Sequence, residues 1–386
     1  MLASNFGNDL IFNILVWIPA VILHGRLRCV CKQWLHMIRD PVFVQAHLAK
    51  AKSKPSLYCA ARYQPHNFRY LVIDEDQDVP PTVQTPIMML ASCDGLVLVA
   101  DSWRARSLAV VNPITRKCLQ LPYFSNGYPS KTRGGIVFDC QRKEYKVVVF
   151  YSFSVCQPFQ CKILTPKSGD QMAWRRVDCP FQRFEWFKPP VDANGALYWS
   201  DYDRRHLISM EVVSDIAEFR RIEMPTAYGP LGHPQLIKMG DKLSVSITDE
   251  TSYHTLLLDD DRSREQILWS RKQTFPLDSR HKDAVIIGSL RDGNVIILKF
   301  GGTWDFMAID HVGNKGERCS MMDDDQSILC STVVHVNSLT SWGDLDCVPS
   351  KVGRLKESWM DNCWSIFDHL AFRERTLKEE KAPREC

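Results

Sequence analysis

The chain has 386 residues, 45% of them apolar, and its 48 basic and 45 acidic side chains leave a formal charge of +3 with no long single-sign block. That length suffices for one large domain, or for a small module plus a large one. The charge balance builds no field suited to nucleic acid or an anionic membrane. Its 14 cysteines are scattered, and neither Cys-x-x-Cys nor His-x-x-x-His occurs. The composition therefore argues for free thiols in a reducing compartment, with no disulfide framework, metal site or cofactor.

From the N-terminus, Leu10 to Leu23 is apolar enough to imitate the hydrophobic part of a signal peptide. Asp9 precedes it without Lys or Arg, however, Asn13 and Pro19 interrupt it, and it is too short to span a bilayer. The expected location is cytoplasmic or nuclear. Asn8 or Asp9 is suited to cap a first helix, in which Leu10, Ile11, Ile14, Leu15 and Ile18 recur at the spacing of one buried face. Pro19 ends it and opens a second helix reaching about Arg28; a third runs from Val30 to Ile38 and stops at Asp40-Pro41. Three short helices bury little surface by themselves, so a partner is expected to cover their apolar face.

The segment Phe6-Gly7-Asn8-Asp9-Leu10-Ile11-Phe12-Asn13-Ile14-Leu15-Val16-Trp17-Ile18-Pro19, followed by Arg28-Cys29-Val30-Cys31-Lys32-Gln33-Trp34, resembles the F-box, the helical module that joins a protein to a ubiquitin ligase. Phe6-Gly7 stands where the family has Leu-Pro, and the stretch from Pro19 to Arg28 is one residue longer. The resemblance implies docking of a Skp-family adaptor, and through it cullin, by Leu10, Ile14, Leu15, Ile18, Pro19, Val30, Cys31 and Trp34. It makes the chain an adaptor rather than a catalyst.

After a short basic linker ending at Pro55, the pattern changes to short apolar stretches separated by turns. Tight turns at Asp94-Gly95, Asn194-Gly195, Gly240-Asp241 and Asp292-Gly293, with Cys140 to Glu144 in the remaining slot, recur about every 45 to 55 residues. Each lies between two strand-like runs, such as Ile87 to Leu90 and Leu96 to Ala100. A third run follows a variable loop, and a fourth carries an aromatic or leucine before a proline, as in Trp174 to Val177 with Pro180. Four antiparallel strands at this period make a propeller blade. Five such repeats, plus Pro55 to Ile73 before them and Ile328 to Val336 after them, predict a ring of about six blades closed by pairing of its ends, which removes exposed sheet edges.

The phrases Ser92-Cys93-Asp94-Gly95-Leu96, Val111-Asn112-Pro113-Ile114-Thr115-Arg116-Lys117 and Asn194-Gly195-Ala196-Leu197-Tyr198-Trp199 resemble the kelch-like F-box-associated interaction domain of plant F-box proteins. The expected fold is mainly β. It comprises a short three-helix F-box (5–50), a linker (51–56), a β-propeller-like domain (57–342) and a tail (343–386) whose Trp359, Cys363, Trp364, Phe367 and Leu370 recur at helical spacing.

Loops between second and third strands share a face with the connections between blades. That face offers Trp103, Arg104, Arg106, Tyr202, Arg204, Arg205 and Trp304 as candidate target-binding residues, because planar side chains and arginine are favoured at recognition hot spots. The implied function is a non-catalytic SCF (Skp-cullin-F-box) substrate receptor that recruits a target protein for ubiquitination and degradation. Two alternatives stand: a ligase-independent binding or scaffold propeller whose F-box has decayed, and a propeller enzyme. No Gly-x-Ser-x-Gly, phosphate-binding Gly-rich loop or His-Glu-x-x-His supports the enzyme.

Overall fold

The computed structural model describes residues 3–342 except 65–66, 74–81, 86, 101–106, 140, 155–156, 166–171, 182–188, 202–204, 214–215, 226–233, 249–251, 262–265, 277–283, 301–304, 311–318 and 321–327. The helical tail expected after residue 343 lies outside the described residues.

Four α-helices, rather than three, precede the sheets: α1 (Ala3–Leu15), α2 (Ala20–Gly25), α3 (Lys32–Arg39) and α4 (Pro41–Ala51). Asn8 and Asp9 do not cap α1, which begins a turn earlier; Asn8 Oδ1 instead accepts a hydrogen bond from Gln33 Nε2. Pro19 caps α2, and Cys31 caps α3, its Sγ accepting from the Trp34 N–H at 3.5 Å. Asp40-Pro41 ends α3 as expected of it but also opens α4. Asp40 Oδ1 takes the Val42 N–H at 2.7 Å, and Pro41 loses nothing at a first-turn position where its missing N–H would have had no helical partner.

Among the described residues the strands form six four-stranded antiparallel sheets. In chain order they are β1 (Ser56–Gln64), β2 (Asn67–Ile73) and β3 (Thr82–Thr85); β4 (Met88–Cys93), β5 (Leu96–Ala100), β6 (Leu108–Asn112) and β7 (Lys117–Gln120); and β8 (Lys131–Asp139), β9 (Glu144–Ser152), β10 (Gln160–Thr165) and β11 (Ala173–Val177). There follow β12 (Val191–Ala193), β13 (Ala196–Ser200), β14 (His206–Val213) and β15 (Ile216–Glu223); β16 (Gln235–Met239), β17 (Lys242–Thr248), β18 (Ser252–Asp261) and β19 (Gln266–Pro276); and β20 (Ala284–Leu290), β21 (Val295–Phe300), β22 (Asp305–Asp310), β23 (Cys319–Ser320) and β24 (Ile328–His335). The chain ends meet: β24 pairs with β1 from Ser56↔His335 to Arg62↔Ile328, completing the β24-β1-β2-β3 sheet.

Turn chemistry sets the hairpins. Asp94 and Gly95 lie at φ 52° and 88°, Asn194 and Gly195 at 49° and 74°, the left-handed pair that a two-residue hairpin matching strand twist requires. Contacts between sheets repeat at the period of the turns. Trp174 Nε1 donates to Pro122 O at 2.7 Å, Trp269 Nε1 to Glu223 O at 3.0 Å, Tyr145 Oη to Asp94 Oδ2 at 3.1 Å and Ser289 Oγ to Lys238 O at 2.7 Å. Each joins one sheet to its neighbour. Apolar clusters fill the spaces between sheets, as where Val137, Val148 and Phe150 of one meet Leu197, Trp199 and Ile208 of the next.

The closing strand carries a buried histidine. His335 Nδ1 meets Ser92 Oγ at 2.8 Å, its ring stands edge-on to Tyr58, and burial depresses its pKa to about 4. The native state therefore refuses a proton that the unfolded chain takes up near pH 6.5. Burial, with Arg28, Arg39 and Lys117 nearby, depresses His24 to about 4, and burial also lowers His47. All three act in one direction: stability is full above pH 6.5 and falls as pH drops toward 4. His335 alone is expected to contribute a loss of about 3 kcal/mol over that window. Thermal melts from pH 7 to pH 4.5 check this, with His335→Gln flattening the dependence.

Candidate functional site

The helical module docks on the face of the propeller that carries the turns within each hairpin. Leu15, Val16, Ala20, Val21, Leu23, Ile38 and Phe43 share one core with Ile114, from the β6–β7 turn, and Leu339, from the segment after β24. Asn112 is the clamp. Its Nδ2 donates to Ser338 O (3.1 Å) and Thr340 O (2.7 Å), while its Oδ1 accepts the Ile114 and Thr115 N–H groups at 2.8 and 3.1 Å. Lys52, just after α4, adds ion pairs of 3.0 Å to Asp94 and 3.3 Å to Asp241. The oppositely charged carboxylates outweigh the effect of its partial burial and raise its pKa. The family phrase around Asn112-Pro113 is thus an anchor between the closing segment and the helices.

Burial divides the expected adaptor-docking residues. Leu10 and Ile14 are 62% and 55% exposed and lie one helical turn apart on α1; Val30 is 59% exposed, and Pro19 and Cys31 are also exposed. The Asn8–Gln33 hydrogen bond holds the start of α3 against α1, beside this stripe. Leu15 departs from the expectation of an exposed contact: it is buried in the core that the helices share with Ile114 and Leu339. Ile18 and Trp34 are half-buried against the same core and serve packing first. Sequence spacing missed Trp17, which lies in the turn just after α1, is 70% exposed and carries Lys50 Nζ 4.1 Å from its ring centre. The period itself marks Trp17, but a tryptophan beside apolar neighbours reads equally well as core.

The strand ends that lead into the β5–β6, β9–β10 and β13–β14 loops, and the described connection 121–130 between β7 and β8, lie on the opposite face. Of the candidate target-binding residues, Trp103, Arg104, Arg106, Tyr202, Arg204 and Trp304 lie outside the described residues. Arg205 is exposed just before β14, and its carbonyl accepts the Met224 N–H at 2.8 Å. Near it, Arg221 pairs with Asp201 at 2.7 Å. Sequence reading passed over the individual aromatics of this face. Tyr123, Tyr128 and Phe153 are exposed, while their neighbours Phe124 and Tyr151 pack at 5.1 Å between ring centroids. Among the described residues no cluster of three His, Cys, Asp or Glu side chains suits a metal ion. Among the described residues, too, no single helix is long and apolar enough to cross a membrane.

The model of the F-box associated beta propeller domain matches residues 47–307. The chain belongs to this family of plant F-box proteins. Among curated relatives of this F-box protein in Arabidopsis thaliana, F-box/LRR-repeat/kelch-repeat protein At2g27520 is 22% identical over 83% of this chain and 92% of its own length. F-box protein At2g23160 is 26% identical over 57% of this chain and 81% of its own. F-box protein CPR1 is 29% identical over 44% of each. F-box membership implies a protein–protein interaction role in ubiquitin ligation, and the propeller is the associated interaction domain.

Proposed function

We propose that this chain is the substrate-recognition subunit of an SCF-type ubiquitin ligase. It docks a Skp-family adaptor, and through it cullin, by Leu10, Ile14, Trp17, Pro19, Val30 and Cys31, and it holds a target protein on the opposite propeller face. The observation that carries this reading is the exposure of Leu10 and Ile14 on α1 and of Trp17 in the turn after it, on a module whose other side is spent against the propeller. A small helical module leaving such side chains in water gains by covering them. The chain itself supplies proximity: it fixes a target across a rigid blade, roughly 25 Å of strand length, from the module that joins the ligase, which raises the effective concentration of target lysines.

Self-modification in a reconstituted ligase tests this. With activating and conjugating enzymes, cullin–RING and adaptor, the wild-type chain is expected to acquire ubiquitin on its own lysines. Ile14→Asp, which alters an exposed position, should fold normally and lose that labelling. Equal labelling of wild type and variant would point instead to adaptor-independent modification and a scaffold role.

A further inference from the structure

The blade formed by β8–β11 carries an arrangement that folding alone does not call for. Lys162 on β10 stands directly opposite Arg176 on β11. Like charges facing each other across a sheet destabilise it. Neither makes an ion pair among the described residues, and Asp178, the acid nearest in sequence to Arg176, does not pair with it. Lys162 Nζ donates to Phe124 O at 2.6 Å and lies 5.8 Å from the centre of the Tyr151 ring. Burial, and then Arg176, lower the Lys162 pKa, the mark of a cation lacking a compensating carboxylate.

Exposed aromatic surface adjoins these cations. Tyr151 Oη donates to Gln160 Oε1 at 2.8 Å, and the Tyr151 ring meets Phe153 edge-on at 5.6 Å. Gly127 lies against Phe153: a Cβ there would come within 3.3 Å of Cε1. Tyr128 follows at 73% exposure. The Ser130 N–H and Oγ both donate to Ser152 O, at 2.8 and 2.9 Å, joining the two loops into one surface. Lys131 and Arg133 flank the connection, and residues 121–133 contain no acid.

We propose that this surface, built from Tyr123, Tyr128, Phe153, Lys162 and Arg176, binds an acidic peptide segment of the target, with an apolar residue seated on the aromatics. The proposal rests on the receptor reading and supplies its recognition chemistry. Charge complementarity identifies the occupant: anionic side chains relieve the Lys162–Arg176 repulsion, while the rings offer apolar contact at low entropic cost.

The test is fluorescence polarisation of the full chain with a labelled peptide of repeating Glu-Glu-Leu. The control peptide has Lys for Glu, and a single-stranded oligonucleotide serves as a second probe. Saturable binding of the acidic peptide is expected, weakened about tenfold by Tyr128→Ala and by Arg176→Glu and absent for the basic control. Lys162→Gln, which keeps a donor for Phe124 O, should weaken peptide binding while leaving the melting temperature unchanged or raised, whereas a lysine kept for folding would lower it. Adaptor binding by these variants must remain at the wild-type level, which separates failure at this surface from failure of the ligase reading. No saturable peptide binding, binding indifferent to Arg176→Glu and Tyr128→Ala, or tighter binding of the oligonucleotide through the same residues would overturn the proposal.

Discussion

Asp139→Ala is expected to destabilise the fold by ~3–5 kcal/mol, the range for stranding one member of a buried ion pair. Lys146 is fully buried, and its Nζ lies 2.6 Å from Asp139 Oδ2. Asp139 has a second task in the β8–β9 turn, where Oδ1 accepts the Gln141 and Arg142 N–H groups at 3.0 and 3.1 Å. Burial by itself would raise the Asp139 pKa, but the bonds from Lys146 and the turn amides hold it below the usual carboxylate range. The alanine variant leaves the ammonium with Glu144, 3.5 Å away and half-buried, as its remaining carboxylate. Denaturant unfolding should show the loss. Asp139→Leu combined with Lys146→Met should recover much of it, because neither buried charge then remains. A loss below ~1 kcal/mol for the single variant would mean that the ammonium reaches water.

Gly95→Ala should act at the seam that holds the ring and the helices together, with an expected cost of ~2–4 kcal/mol from backbone strain and a lost hydrogen bond. Gly95 adopts φ 88°, and a Cβ there would fall 2.1 Å from Ser338 Oγ and 2.8 Å from the Val336 carbonyl oxygen. Side chain and backbone would both have to move, breaking the 2.5 Å bond from Ser338 Oγ to Asp94 O. The displaced segment carries Leu339, which belongs to the core under α1 and α2. The variant is thus expected to loosen the helical module as well as the closing strand. Hydrogen exchange should report faster exchange at Leu15–Leu23 and at residues 333–340 together. Loosening confined to the turn would show that the seam does not couple the two.

Much of the propeller was legible because its signals are local. The Asp94-Gly95 and Asn194-Gly195 pairs announce left-handed turns, and their recurrence is the same period at which Trp174 reaches Pro122 and Trp269 reaches Glu223. The helical module was less legible, because its core is completed by Ile114 and Leu339, which lie far along the chain. Leu15 and Ile14 are equally apolar neighbours; which of them faces outward depends on where those distant residues dock. Asn8 reads as a cap by residue type, yet its partner Gln33 comes from another helix. The individual aromatics of the opposite face were not singled out for a related reason. Tyr123 and Phe124 are adjacent, and only the packing of Phe124 against Tyr151 and Trp174 sends one inward and leaves the other exposed.

On the proposed reading, the exposed side of α1 docks the adaptor while its buried side holds the propeller. A titration of purified Skp-family adaptor against the full chain, read by calorimetry, tests it most directly when Leu10→Asp and Ile14→Asp are measured beside the wild type. Saturable binding by the wild type is expected, with a loss of at least about tenfold in affinity for each variant and melting temperatures unchanged because both side chains stand in water. Leu15→Asp would be a poor substitute, since that side chain lies in the shared core. Absence of wild-type binding, or binding indifferent to both variants, would rule out adaptor docking by α1 and leave the helices as a cap on the propeller.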